Sequence, residues 1–108
     1  MKVLRFRGKY RDAIISGRKR TTIRRESSLR PGDLVMVEVG EERIGEALIK
    51  CVEEVCVEEL NDELAEEDGF GSLSELLMEL RSIYGDDVLR EGTKLKLIRF
   101  EIVRRESA

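Results

Sequence analysis

The sequence predicts an α+β fold, a small and mostly antiparallel β-barrel with about three helices. Three observations carry that expectation. Five stretches read as strands, rich in β-branched residues or alternating in polarity. Two of them are joined only by Gly40 to Glu42, a hairpin connection. Helical spacing is confined to a short early segment and to residues 58–84, which gives the order β-α-β-β-β-α-α-β. At 108 residues the chain is long enough for one domain, 1–108, around a modest core.

The elements follow in order. "KVLRFR" (2–7) is a strand with Leu4 and Phe6 on one face. Tyr10, Ala13 and Ile14 stand at helical spacing, and Gly17 stands where a helix would stop. "RTTIR" (20–24) is a strand, and "RESSLRPGD" is a loop turned by Pro31-Gly32. Residues 33–40 and 43–57 are paired strands, the second bent near Gly45. Residues 58–68 read as a helix with Val57, Leu60 and Leu64 inward. "GFGS" breaks it, and a second helix begins at Ser72, with Ser72 and Glu75 spaced as a capping box. Its apolar face holds Leu73, Leu76, Leu77, Leu80, Ile83 and Tyr84, and Gly85 ends it. In the last strand, "TKLKLIRFEIVRR", the apolar phase changes between Leu97 and Ile98. A bulge is the expected cause.

Composition narrows the chemistry. The chain has no histidine, so a zinc site of the usual Cys/His kind lacks ligands and a His general base is excluded. No metal or other cofactor is required. Cys51 and Cys56 are five apart on one strand, hence on opposite faces and not expected to pair. No apolar run exceeds four residues, so no membrane contact is expected and the location expected is the cytoplasm. Charged residues make up 40%, there is no Gln, and Asn61 is the single Asn, a thermophile-like composition.

The net charge of −3 hides an asymmetry. Residues 1–30 carry 11 basic and 2 acidic groups, residues 31–93 carry 4 and 19, and residues 94–108 carry 5 and 2. If the termini meet, they form a positive face suited to phosphates, extended by Lys94, Lys96, Arg99, Arg104 and Arg105. Otherwise the segments simply neutralise one another. The densest cationic stretch is "SGRKRTTIRR" (16–25). On a strand over 20–24, Arg20, Thr22 and Arg24 share one face, Thr21 and Ile23 take the other, and Lys19 adjoins Thr22. Arg18, Arg20 and Arg24 are expected to lower the Lys19 pKa by like charge. Arg18, Arg20, Arg24 and Arg25 are the candidate ligand- or phosphate-binding residues. Aromatic residues are few and read mainly as core, so one base or nucleoside fits better than an extended RNA track.

Three stretches, "IISGRKRTTIRR", "LRPGDLVMV" and "LAEEDGFGSLSELLMELRSIYG", together resemble the ASCH domain family over nearly the whole chain. The family signature is Gly-x-Lys-x-x-Glu-x-Arg. Gly17, Lys19 and Arg24 fall in register, and Thr22 replaces the Glu. The resemblance implies a PUA-like β-barrel with a cleft beside the motif, and RNA or nucleotide-like ligands. A small single-domain branch that also carries Thr there includes amidohydrolases that deacetylate N4-acetylcytidine with a Lys, a Thr and a Glu. By that resemblance Lys19, Thr22 and Asp68, or alternatively Glu67, are the candidate catalytic residues. Asp68 is one methylene shorter than the family's Glu.

Three functions follow as expectations. The first is binding of RNA or a modified nucleoside in a basic cleft. The second is amide hydrolysis, with Lys19 as base, Thr22 or water as nucleophile and Asp68 as acid. The third is a protein-interaction module using the acidic helices. The same residues also admit plain readings: a solvated lysine, a strand threonine, and an aspartate before a helix-ending glycine.

Overall fold

The computed structural model describes residues 1–106. Five strands, β1 (Val3–Phe6), β2 (Thr21–Arg24), β3 (Leu34–Val39), β4 (Glu42–Cys56) and β5 (Lys94–Arg105), form one sheet. Its order is β1-β3-β4-β5-β2, so β1 and β2 are the two edges. β1 runs parallel to β3, and every other pair is antiparallel. The sheet curls into an open barrel. The seam between β1 and β2 is spanned by a side chain, Arg24, whose Nη2 donates to the carbonyl of Arg5 at 2.7 Å.

Three helices accompany the sheet: α1 (Arg11–Ile15), α2 (Asp62–Glu67) and α3 (Leu73–Tyr84). The sheet is buried on both faces. Leu4, Phe6, Val35, Val37, Ile98 and Phe100 belong to a core within the curl. Ile23, Ala65, Leu76, Leu80, Leu95 and Leu97 belong to a second core beneath α2 and α3. Burial of large apolar side chains on this scale, roughly 1.5–3 kcal/mol each, is what holds so small a sheet closed.

This two-faced burial corrects one expectation. The phase change at Leu97/Ile98 is not a bulge: β5 keeps unbroken register with β2 from Leu97 to Ile98. Leu95 and Leu97 face the helices, whereas Ile98 and Phe100 face the interior of the curl. The irregularities lie elsewhere. They place Ile44 and Lys50 as extra residues on β4, and Val103 on β5. Beside the first, Gly45 has φ 152°, and a Cβ there would meet the Arg104 carbonyl oxygen at 2.0 Å. Only glycine permits that crossing.

The helix expected over 58–68 is also divided. Val57–Glu59 makes a 3-10 turn, and α2 begins only after Asn61. Asn61 Oδ1 accepts from the Leu64 amide at 2.8 Å, satisfying an amide that has no intrahelical partner. Ser72 caps α3 by accepting from the Glu75 amide at 3.3 Å. The Glu75 carboxylate departs from the expected box, however, and accepts from Gly71 at 2.7 Å. Both cysteines are free thiols. No described helix is long and apolar enough to cross a membrane.

Candidate functional site

The seam between the edge strands opens into a cavity of about 220 Å³. β1 and the turn after it supply Arg5, Phe6, Arg7 and Tyr10. The motif supplies Lys19, Thr22 and Arg24, the segment after α2 supplies Asp68 and Phe70, and α3 forms the remaining wall.

Backbone pairing sets the centre of the site. Lys19 and Asp68 form an isolated antiparallel bridge, and the Arg20 amide donates to the Glu67 carbonyl at 2.8 Å. The Lys19 amide donates to Ala13 at 2.9 Å, which ties the motif to α1. The chain therefore enters β2 one residue later than expected, at Thr21. Gly69, at φ 91°, lets the segment turn against Lys19; a Cβ there would stand 3.1 Å from the Lys19 Cβ.

Lys19 and Asp68 are the buried ionic pair, with side chains 4% and 5% exposed. Lys19 Nζ lies 3.1 Å from Asp68 Oδ1 and donates to the Asp68 carbonyl at 2.9 Å. The rings of Tyr10, Phe70 and Phe6 surround Nζ at 4.9, 5.6 and 5.7 Å. Cation–π attraction replaces part of the hydration lost there. Thr21 Oγ1 donates to Asp68 Oδ1 at 2.8 Å. Burial pushes the Lys19 pKa down and the Asp68 pKa up; each charge, acting on the other, opposes that shift. Desolvation is thus the main cause at Lys19. Of the cations expected to press on it, Arg24 alone contributes, and weakly.

Thr22 is buried and accepts from Arg24 Nε at 2.8 Å. With Nη2 on Arg5 and its guanidinium 5.3 Å from the Phe6 ring, Arg24 is held along the seam. Glu79 of α3 reaches the same cavity. Its Oε1 meets Lys9 Nζ at 2.9 Å and Arg7 Nη1 at 3.9 Å, while its buried Oε2 has no partner. An unsatisfied buried acceptor of this kind costs on the order of 1–3 kcal/mol.

The structure brings Lys19, Thr22, Arg24 and Asp68 to one cavity. It leaves the other candidates outside. Glu67 turns to Arg99 at 3.0 Å. Arg18 and Arg20 border a separate shallow depression beside Gly17 and Gly71, so Arg20 does not share the Thr22–Arg24 position. Arg25 is exposed, and its amide donates to the Tyr84 hydroxyl at 3.4 Å. The basic C-terminal strand is largely neutralised: Lys96, Arg99 and Arg104 pair with Glu54, Glu53 and Glu46 of the neighbouring β4.

Sequence reading missed three parts of the site. Thr21 sits on the face assigned to core. Phe6, Tyr10 and Phe70 serve as a cage rather than only as core. Glu79 was overlooked, although a charge between Leu76 and Ile83 on an apolar helix face was a visible signal.

This open barrel is the fold of ASCH-domain structures. The ASCH domain from Lactobacillus crispatus superposes with TM-score 0.74 at 20% identity, covering 93% of this chain and 80% of that one. ASCH from Zymomonas mobilis gives 0.71 at 16%, covering 95% and 68%. An Enterococcus faecalis protein of the DUF984 family gives 0.77 at 16%, covering 91% and 69%. No family model and no curated protein matches the sequence.

Proposed function

We propose that this chain is an ASCH-type amidohydrolase that removes an acyl group from the exocyclic nitrogen of a cytidine-like nucleoside, with N4-acetylcytidine as the model substrate. The observation that carries the reading is the buried Lys19–Asp68 pair in a cavity that Thr22 also lines. Burial favours the neutral form of each partner, so a lysine amine beside an aspartic acid is accessible from the ammonium–carboxylate form by moving one proton. In that form the Lys19 amine takes the Thr22 hydroxyl proton, and Oγ1 bonds to the acyl carbon. As the C–N bond breaks, Asp68 gives its proton to the departing nitrogen. An acyl ester on Thr22, an ammonium and a carboxylate remain. Water then gives a proton to Asp68 and its oxygen to the acyl carbon, while Lys19 returns a proton to Oγ1. The products are the amine and the carboxylic acid. Arg24, which lines the same cavity beside Thr22, is the residue assigned to the developing oxyanion.

The test is incubation of the purified protein with N4-acetylcytidine, followed by chromatography for cytidine and acetate. Equal yields of both, lost in Lys19→Ala, are expected. A folded wild-type protein that releases no cytidine would falsify the hydrolase reading.

A second reading, recognition of RNA or a modified nucleotide without turnover, draws on a different observation. Arg18, Arg20 and Arg25 have no carboxylate partner among the described residues. They are free for phosphates near the cavity. Binding of RNA by a protein inert toward N4-acetylcytidine would favour it.

A further inference from the structure

We propose that Glu79 is a specificity-determining acceptor, selecting a base that carries an amino N–H over the same ring without one. The inference rests on the nucleoside reading above and deepens it. Glu79 lies on α3 with Leu76 and Leu80 beside it, and it is only 9% exposed. A carboxylate among leucines is costly unless its lone pairs are met. Lys9 and Arg7 meet one oxygen, from the turn that follows β1. They fix that oxygen and leave Oε2 unpartnered. Glu79 also lines the cavity that holds Lys19 and Asp68, so the unmet acceptor belongs to the site and not to a remote ion pair.

The chemistry of an ionised carboxylate decides what it selects. It accepts hydrogen bonds and donates none, so it attracts an N–H and repels a carbonyl oxygen. The other groups on that wall, Leu76, Leu80, Ile83 and the Tyr84 ring, suit a flat ring. Oε2 is closed from solvent, but the terminal torsion of a glutamate is broad. A small rotation presents the oxygen to a donor on the ring.

The experiment is calorimetric titration of cytidine and of the pyrimidin-2-one ribonucleoside, which differ only in the 4-amino group. Wild-type protein is expected to bind cytidine at least about tenfold more tightly, the range of one hydrogen bond to a charged group. Glu79→Leu is expected to bring the two affinities together by weakening cytidine alone. Glu79→Gln, which keeps shape and one acceptor oxygen but not the charge, should fall between them; it also serves if the leucine variant does not fold. Equal wild-type affinities overturn the assignment and leave the nucleoside reading standing, as does an undiminished preference in either variant. If neither nucleoside binds wild-type protein, both readings fall.

Discussion

Lys19 and Asp68 are 49 residues apart and meet three times, through a backbone bridge, an ion pair at 3.1 Å and a bond from Lys19 Nζ to the Asp68 carbonyl at 2.9 Å. The bridge makes the pair a consequence of the fold, because α2 delivers Asp68 wherever the motif delivers Lys19. Both charges are withdrawn from water, so neither is tolerable alone. Lys19→Met or Asp68→Leu should each lower stability by about 3–5 kcal/mol, since each leaves one buried charge unmatched. The double variant should recover most of that loss. Guanidinium denaturation of the three variants reads the difference; additive losses would show that the two residues do not act as a pair.

The directions of the two shifts fix the pH dependence. Asp68 has a folded pKa above its ordinary 3.8, so the folded state holds the extra proton between the two values and stability falls as pH rises through them. Lys19 has a folded pKa below its ordinary 10.5, so the unfolded state holds the extra proton and stability rises with pH between those values. The pair therefore contributes least to stability between the two windows. The stability of the Met/Leu double variant relative to wild type should be greatest near neutrality and fall toward pH 4 and toward pH 10. Melting curves across that range check the sign, and a constant difference would rule it out.

Thr21 holds Asp68 without lining the cavity itself. Its hydroxyl stabilises the carboxylate, opposing the upward push of burial. Thr21→Val keeps the shape and removes the donor. A loss of about 1–3 kcal/mol in stability is expected. The acid limb of the pH–rate profile should also move to higher pH, a displacement that a purely structural role would not produce. Thr21→Ser should restore the wild-type profile.

What the sequence disclosed and what it withheld divide along contact distance. The succession of strands and helices along the chain, the Gly17 stop and the Ser72 cap were legible because each is written within a few residues. Lys19, Thr22 and Arg24 were legible as a group for the same reason. The role of Thr21, read only as a residue of the face opposite Thr22, was not legible because its partner Asp68 arrives 47 residues later. The bulge expected in β5 was misplaced because one phase change has two physical causes, an inserted residue or a switch of buried face, and only the packing of Leu97 under α3 separates them. Glu79 belongs to a different kind of miss. Its position on the apolar stripe of α3 was readable, and a charge on such a stripe is a question the pattern itself poses.

Arg24 closes the seam that defines the cavity. Its Nη2 bond to Arg5 crosses between edge strands that share no backbone ladder, and its Nε bond to Thr22, on the same strand, holds the guanidinium in place. Lysine keeps the charge but presents a single ammonium that cannot reproduce the planar fork. Arg24→Lys should cost roughly 1–2 kcal/mol in stability. Its larger effect should be local, with faster hydrogen exchange of β1 amides and unchanged exchange in the β4–β5 ladder. Equal acceleration in both would mean that Arg24 supports the fold at large and not the seam.

The rim arginines make the last prediction. Arg18, Arg20 and Arg25 lie outside the cavity and pair with no described carboxylate, whereas the cations of β5 are mostly matched by β4. Any phosphate contact should therefore come from the motif and not from the C-terminal strand. For single-stranded RNA each contact contributes about 0.7 to the slope of log affinity against log salt. Replacing the three arginines by alanine should lower that slope by up to about 2, with little change in stability because the side chains are exposed. Replacing Lys96, Arg99 and Arg104 should leave the slope nearly unchanged and cost stability instead, through the ion pairs to Glu54, Glu53, Glu67 and Glu46. The reverse pattern would place the RNA-facing surface on the cations of β5 and not on the motif arginines.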